Sequence, residues 1–319
     1  MKEFIFNLLP KPLKGPALAV ASFFRDPKYA WLFSHRFNGL DDQQIRYILE
    51  KQFLSATGKS INFDSPQTFN EKLQWLKLYN RNPLLTKCAD KVTVRDYVKE
   101  TIGPEYLVPI LGTFDNPSKI NFSALPNQFV LKVNWGSGQN VICKDKKTFD
   151  EAAAVRKLKL WMHPRSNHYF DFFEWCYKDI TPKIIAEEYI QQLDGYLVDY
   201  KFHVFNGEPI LLQFIDRWQT HRETIYHIPT WTKTDLHFTY QLLDRRFERT
   251  QTIDEMIKLC RALAKPFPYV RVDLYDIQNK IFFGELTFYP GNGELSMDDK
   301  WAKELGDLLI LPKQPLQDT

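Results

Sequence analysis

Residues 268–293, PYVRVDLYDIQNKIFFGELTFYPGNG, limit what this chain can fold into more than any other stretch. They read as two β-strands joined by a short turn, opening into the loop Tyr289-Pro290-Gly291-Asn292-Gly293. Residues two apart on a strand face the same side, so Arg271 and Asp273 share one face and Glu285 and Thr287 share another. Paired as a hairpin, the strands can bring together a cation, two carboxylates and a hydroxyl. Two hard oxygen ligands beside an arginine suit magnesium bound to phosphate. The same spacing also describes an ordinary strand pair with one charged face in water.

A second element weighs against the ordinary reading. Phe129-Val130-Leu131-Lys132-Val133 is an apolar strand with a lysine inside it, followed by Asn134-Trp135-Gly136-Ser137-Gly138 and a short strand, Val141-Ile142-Cys143. A Gly-Ser-Gly turn lets backbone N–H groups approach an anion closely, and Lys132 can supply a point charge to a phosphate oxygen. Most such turns are simple hairpins, so the motif has little force alone. A third element, Lys183-Ile184-Ile185-Ala186-Glu187-Glu188-Tyr189-Ile190, is a strand ending in paired acids, with Asp194 shortly after it.

The whole composition excludes several classes. With 319 residues, 44% hydrophobic, the chain has room for one large core or two to three subdomains. A net charge of +3 and the lack of any nucleic-acid-binding module predict no nucleic-acid partner. Cys88, Cys143, Cys176 and Cys260 have no metal-ligand spacing and read as isolated buried thiols of a reducing compartment. No apolar run is long enough to span a bilayer and none resembles a signal peptide, so the expected location is the cytoplasm. Residues 1–36 are basic and aromatic-rich; they fit either a peripheral contact at the inner face of the plasma membrane or packing on the protein itself or on a partner chain. Pro10, Pro12 and Pro16 interrupt any long amphipathic helix there.

Helical spacing predicts helices over residues 41–53, from Ser65-Pro66 through Leu76, from Asp90 to Ile102, over 148–162, 250–264 and 298–310. Residues 197–215 read as a hairpin turning at Asn206-Gly207. Strands and helices mix without βαβ alternation, which predicts an α+β fold with mixed sheets.

In their order, these segments resemble the ATP-grasp superfamily, and most closely its TupA-like branch of teichuronopeptide and surface-polysaccharide synthesis. The resemblance begins at Ser65-Pro66-Gln67-Thr68-Phe69-Asn70-Glu71-Lys72-Leu73-Gln74-Trp75 and passes through Ala89-Asp90-Lys91 and Arg95-Asp96-Tyr97-Val98. It continues through Lys132 with its glycine turn, Ala186-Glu187-Glu188-Tyr189-Ile190 and Asp199-Tyr200-Lys201-Phe202-His203. It closes with Arg271-Val272-Asp273 and Gly284-Glu285-Leu286-Thr287-Phe288-Tyr289-Pro290-Gly291.

That resemblance implies two α+β subdomains with ATP between two sheets: a helical N-terminal region over residues 1–85, a lid over 86–190 and a metal-bearing core over 191–319. It implies that Lys91 and Lys132 hold nucleotide phosphates, that Gly136, Ser137 and Gly138 close over them, and that Glu187, Glu188, Tyr189 and Ile190 form the adenine-reading hinge. Asp194 takes the place of the ribose-binding acid, Lys201 and Arg271 those of the catalytic cations, and Asp273, Glu285 and Thr287 those of the Mg2+ ligands. Many ATP-grasp ligases carry Glu-x-Asn where this chain has Glu285-Leu286-Thr287, which trades an amide oxygen for a neutral hydroxyl. The implied activity joins a carboxylate to an amine through an acylphosphate. The carboxylate would belong to a uronic acid of a surface glycan and the amine to an amino acid or other donor. A glycosyltransferase, a kinase on the same scaffold and a non-catalytic nucleotide-binding protein are the alternatives.

Overall fold

The computed structural model describes residues 26–136, 138–190, 198–216, 222–238 and 240–313. Helices come first: α1 (Pro27–Ser34), α2 (Asp42–Thr57), α3 (Phe69–Tyr79), α4 (Pro83–Ala89) and α5 (Val94–Thr101). Side-chain caps set where they start. Asp41 and Gln44 form a capping box on α2, and Thr68 and Glu71 form one on α3. Thus α3 begins three residues later than Ser65-Pro66 predicts, because the Glu71 carboxylate reaches back to the N–H groups of Gln67 and Thr68. Asp90 does not cap α5 either. It accepts from the Val92 N–H at 2.8 Å and the Asn134 amide at 2.9 Å, and leaves Lys91 in the turn ahead of the helix.

Two sheets follow. The smaller contains β1 (Ile110–Phe114), β2 (Phe129–Val133), β3 (Asn140–Cys143) and β4 (Ile184–Glu188) in the order β1-β4-β2-β3, all antiparallel. Along β2 the side chains of Phe129, Leu131 and Val133 are buried and Lys132 takes the other face, the two-residue period of a strand. Helix α6 (Glu151–Trp161), capped by Asp150, and the single turn α7 (Tyr169–Phe172) lie between β3 and β4 in the chain. The aromatic run of residues 168–175 feeds the core, where Tyr169 and Phe173 are buried.

The larger sheet holds β5 (Val198–Phe205), β6 (Glu208–Asp216), β7 (Arg222–His227), β8 (Thr232–Lys233), β9 (Gln241–Leu242), β10 (Tyr269–Ile277) and β11 (Lys280–Thr287). Its order is β11-β10-β5-β6-β7-β8, antiparallel, with β9 added parallel to β7. Asn206 and Gly207 both have positive φ, 49° and 84°, which is the geometry of the tight turn predicted between β5 and β6. Helix α8 (Gln251–Ala264) packs its Ile253, Met256, Ile257 and Leu263 stripe toward β10, β5 and β6, and α9 (Asp299–Leu308) closes the described chain. All four cysteines are free and buried.

The N-terminal helices are tied to the C-terminal end by a close backbone crossing. A Cβ on Gly306 of α9 would stand 2.1 Å from the Gln67 carbonyl and 2.9 Å from the Thr68 Cα. The Lys72 ammonium donates to the carbonyls of Gly306 and Leu309 at 2.8 and 2.9 Å, satisfying the end of α9. Gly306→Ala is expected to cost about 1–3 kcal/mol of stability, the range for overpacking a tight contact. The readout is a lower denaturant midpoint at unchanged m-value; an unchanged midpoint would show that the crossing is not tight.

Candidate active site

Strand β10 sits between β11 and β5, and the register places its charged residues opposite charged neighbours on both sides. Arg271 pairs with Thr287 on β11 and His203 on β5; Asp273 pairs with Glu285 and Lys201. Directly opposed residues point to the same face of a sheet. Glu285 and Thr287 therefore share the face of Arg271 and Asp273, and six polar side chains form a grid on one side of the sheet.

Five of the six, all but His203, are bonded to one another. Arg271 donates Nε to Asp273 Oδ1 at 2.6 Å and Nη2 to Oδ2 at 2.7 Å, a bidentate pair. The same Nη2 reaches Thr287 Oγ1 at 3.0 Å and Glu285 Oε1 at 3.4 Å. The Lys201 ammonium donates to Asp273 Oδ2, which it shares with Arg271 Nη2, and Thr287 donates to Glu285 at 3.2 Å. Asp273 is only 3% exposed. Burial would raise its pKa, but Arg271 and Lys201 outweigh that and hold the carboxyl below the usual carboxylate range. Burial likewise pulls Arg271 down, and Asp273 reverses the effect, leaving the guanidinium more basic than usual.

Residues of the smaller sheet and its approaches meet this face. The Lys91 ammonium donates to the Gly136 carbonyl at 2.9 Å and lies 3.9 Å from Glu285 Oε2. Burial lowers the Lys91 pKa; Glu285 acts against that, and the positive charge of Lys132 adds to it. Lys132 donates to Glu187 Oε2 at 2.5 Å, and Arg95 reaches Glu187 Oε1 at 3.3 Å and the Val108 carbonyl at 2.7 Å. Gly136 and Gly138 have φ of +76° and +72°, a conformation L side chains rarely take.

A cavity of about 220 Å³ opens beside the grid, lined in part by Lys201, His203, Gln213, Arg271, Glu285 and Gly291. His203 is fully buried, and burial followed by the Arg271 charge pulls its pKa down to about 3, so the ring is neutral. The Gln213 amide donates to Glu223, which turns its oxygen to His203 Nε2 at 3.3 Å. Nε2 therefore carries the proton, and Nδ1 accepts from the Tyr269 hydroxyl at 2.8 Å. Glu223 also accepts from the N–H groups of Phe238 and Tyr240, which ties the loop after β8 to the cavity floor.

Of the residues singled out by sequence, the structure links Lys91, Lys132, Gly136, Glu187, Lys201, Arg271, Asp273, Glu285 and Thr287 in one connected cleft. Glu187 is 7% exposed and its carboxylate is committed to two cations, so its side chain is not presented to a ligand. Glu188 is exposed at the end of β4, with its N–H on the Pro109 carbonyl at 3.1 Å, and Tyr189 and Ile190 follow half-buried. Ser137 and Asp194 lie outside the described residues, as do residues 1–25 of the basic N-terminal segment. Sequence reasoning missed Arg95 as an ion-pair partner and the His203–Gln213–Glu223 network. His203 stands two residues from Lys201, so strand period alone places both on one face.

For magnesium, Asp273, Glu285 and Thr287 offer the hard oxygen donors it prefers, on two paired strands. Among the described residues no cluster of three or more acidic, histidine or cysteine side chains stands ready to enclose a metal. The donors present fit an ion held by one or two carboxylates together with a ligand's own oxygens.

Through Lys91, the glycine turn of the smaller sheet meets the charged face of the larger one. The chain belongs to the TupA-like ATP-grasp family, whose model matches residues 71–310. It is similar in structure to the D-alanine–D-alanine ligase of Bacillus anthracis, at 16% identity over 71% of this chain and 68% of that one, with a TM-score of 0.43. The L-amino acid ligase of Bacillus licheniformis aligns at 12% identity over 79% of this chain, TM-score 0.44, and 55% of that protein is spanned. The ATP-grasp ligase PsnB, solved with a minimal precursor, aligns at 13% identity over 72% of this chain and 61% of its own, TM-score 0.39. No curated protein matches the chain.

Asp273→Asn leaves two buried cations without their anion and is expected to cost about 3 kcal/mol or more. Because the folded pKa of Asp273 is depressed, its contribution is present above the ordinary value of 3.8 and is lost as pH falls through the lower folded value. The variant should therefore lose less stability than the parent protein on titration below about pH 4. Parallel acid unfolding curves for the two proteins would contradict the paired state of Asp273.

Proposed function

We propose that the cleft performs an ATP-dependent carboxylate–amine ligation, amidating a uronic acid of a bacterial surface polysaccharide with an amino acid or related amine. One observation carries the reading: Lys91 joins the glycine turn of the smaller sheet to Glu285 of the larger one, so both walls converge on a single cationic centre. A triphosphate needs such a centre, since its transfer depends on positioning and charge neutralisation more than on covalent chemistry. The uronic acid rests on family membership alone.

In this reading residues 86–190 act as the lid, residues 191–319 as the core and residues 1–85 as a helical support. Lys91 and Lys132 hold the nucleotide phosphates, with Gly136, Ser137 and Gly138 closing over them. Glu187, Glu188, Tyr189 and Ile190 supply the hinge, through backbone groups where Glu187 is concerned, and Asp194 takes the ribose. Asp273, Glu285 and Thr287 would hold Mg2+, which when bound neutralises phosphate charge. A carboxylate oxygen of the acceptor attacks the γ-phosphorus and ADP leaves, forming an acylphosphate. The amine nitrogen then attacks the acyl carbon; inorganic phosphate leaves, the amine's proton is lost, and an amide remains. Arg271 and Lys201 steady the charge on the transferring group. Among the described residues no helix is long and apolar enough to cross a membrane. A peripheral membrane contact, if residues 1–36 make one, would bring the cleft near lipid-linked glycans.

The test supplies MgATP with D-glucuronate or D-galacturonate, and their methyl glycosides, together with the common amino acids. ADP release requiring both carboxylate and amine, with an amide detected by mass spectrometry, is the expected outcome. A phosphoester product would replace the ligase with a kinase. Glycosyl transfer from a nucleotide sugar, or nucleotide binding without turnover, would also displace it. Lys132→Ala should weaken MgATP binding at least tenfold, about 1.4 kcal/mol. Unchanged affinity would place the nucleotide elsewhere.

A further inference from the structure

Helix α3 takes no part in the cleft, yet three of its residues are buried and polar. Asn70, Gln74 and Lys77 are 7%, 0% and 1% exposed and recur at the i, i+4, i+7 spacing of one helix face. Asn70 and Gln74 are bonded to the loop that follows the Glu285-Leu286-Thr287 strand. Asn70 donates to the Leu295 carbonyl at 2.8 Å and accepts from its N–H at 3.3 Å. Gln74 donates to the carbonyls of Asn292 and Gly293 at 2.8 and 3.1 Å. Lys77, one turn further, has Glu174 and Glu294 as its electrostatic partners.

The loop needs holding. Gly291, Asn292 and Gly293 all have left-handed backbone, with φ of 57°, 59° and 67°. A Cβ on Gly293 would stand 3.0 Å from both Gln74 Nε2 and Leu73 Cβ, so the loop lies flush on the helix. Gln74 contributes its two donors while its own carbonyl oxygen is buried without a hydrogen-bond partner. An apolar side chain would fill the same space without stranding a polar atom, so the amide is there for the two loop carbonyls. The same loop lines the cavity: Pro290, Gly291 and Leu295 are lining residues together with Lys201 and Arg271.

We infer that Asn70 and Gln74 are positioning residues that fix the loop of residues 290–295 as the acceptor-side wall of the cavity, setting acceptor affinity without touching nucleotide. The inference rests on the ligase reading for the word acceptor; the clamp itself does not. Its chemical content is that this wall, built from backbone and apolar groups, shares the cavity with Lys201 and Arg271 and limits what can stand beside a carboxylate held there.

The experiment uses full-length Gln74→Met and Asn70→Leu, which keep volume and remove the donors, and Leu76→Ala as a packing control on the same helix. Amide exchange over residues 289–296 should rise at least tenfold in the first two, with MgADP affinity by calorimetry within twofold of the parent. With the uronate that the parent amidates, KM for that uronate should rise at least tenfold while kcat stays within threefold. Leu76→Ala should lower the melting temperature and move neither the loop exchange nor KM. Unchanged loop exchange in Gln74→Met, or the same effects in Leu76→Ala, or MgADP affinity falling in step with the loop, would overturn the inference. If the parent turns over neither D-glucuronate nor D-galacturonate, the uronate reading fails by itself. Exchange and MgADP binding then still decide the clamp by the same criteria.

Discussion

The carboxylate of Asp273, buried and held by Arg271 at both oxygens and by Lys201 at Oδ2, is the interaction on which the cleft depends. It joins β10 to β5 through Lys201, while Arg271 carries the connection across to Thr287 and Glu285 on β11. Taking three charges out of water is unfavourable in itself, and the arrangement survives because each oxygen of Asp273 meets a donor at close range. What results is a rigid patch of fixed charge rather than a set of mobile surface ions. Such fixed charge needs no reorganisation when a charged ligand arrives, which is the condition for strong electrostatic stabilisation.

The opposite wall follows the same rule with different residues. Lys132 and Arg95 share Glu187, and Lys91 rests between the Gly136 carbonyl and Glu285. Burial disfavours the charged form of a lysine and lowers the Lys91 pKa, while Glu285 acts against that. Carboxylate partners hold these side chains in place. Under the proposed function an incoming triphosphate would exchange one set of anionic oxygens for another. That exchange is less costly than charging or ordering the lysines anew.

How much of this could be read from the chain depended on whether a residue's surroundings were local. The helix starts at Asp41, Thr250 and Asp298, the Asn206-Gly207 turn and the strand Phe129–Val133 follow from neighbours within a few residues, and they appear where the sequence places them. The start of α3 was misplaced because Ser65-Pro66 imitates a helix start, while Glu71 selects Thr68 through two backbone N–H groups. The hairpin motif of Arg271, Asp273, Glu285 and Thr287 was legible as a group. Its single-faced geometry was not, since that depends on register between strands. The Tyr269–His203–Gln213–Glu223 chain was invisible for the same reason: its members come from four strands and none has a distinctive spacing.

Thr287 shows how a departure from a family pattern is absorbed. A hydroxyl has one donor and two lone pairs. Here the donor goes to Glu285 and one lone pair accepts from Arg271, so Thr287 aligns the acid beside it and fixes the guanidinium that grips Asp273. One lone pair remains for a water or a metal ion. An asparagine amide at this position would present its oxygen at longer reach, and its NH2 group would be the donor toward Glu285. The shorter threonine keeps both links within adjacent strands. The consequence is that Glu285, the most exposed acid of the grid, is oriented by its own strand neighbour and by Lys91 across the cleft, and not by Asp273.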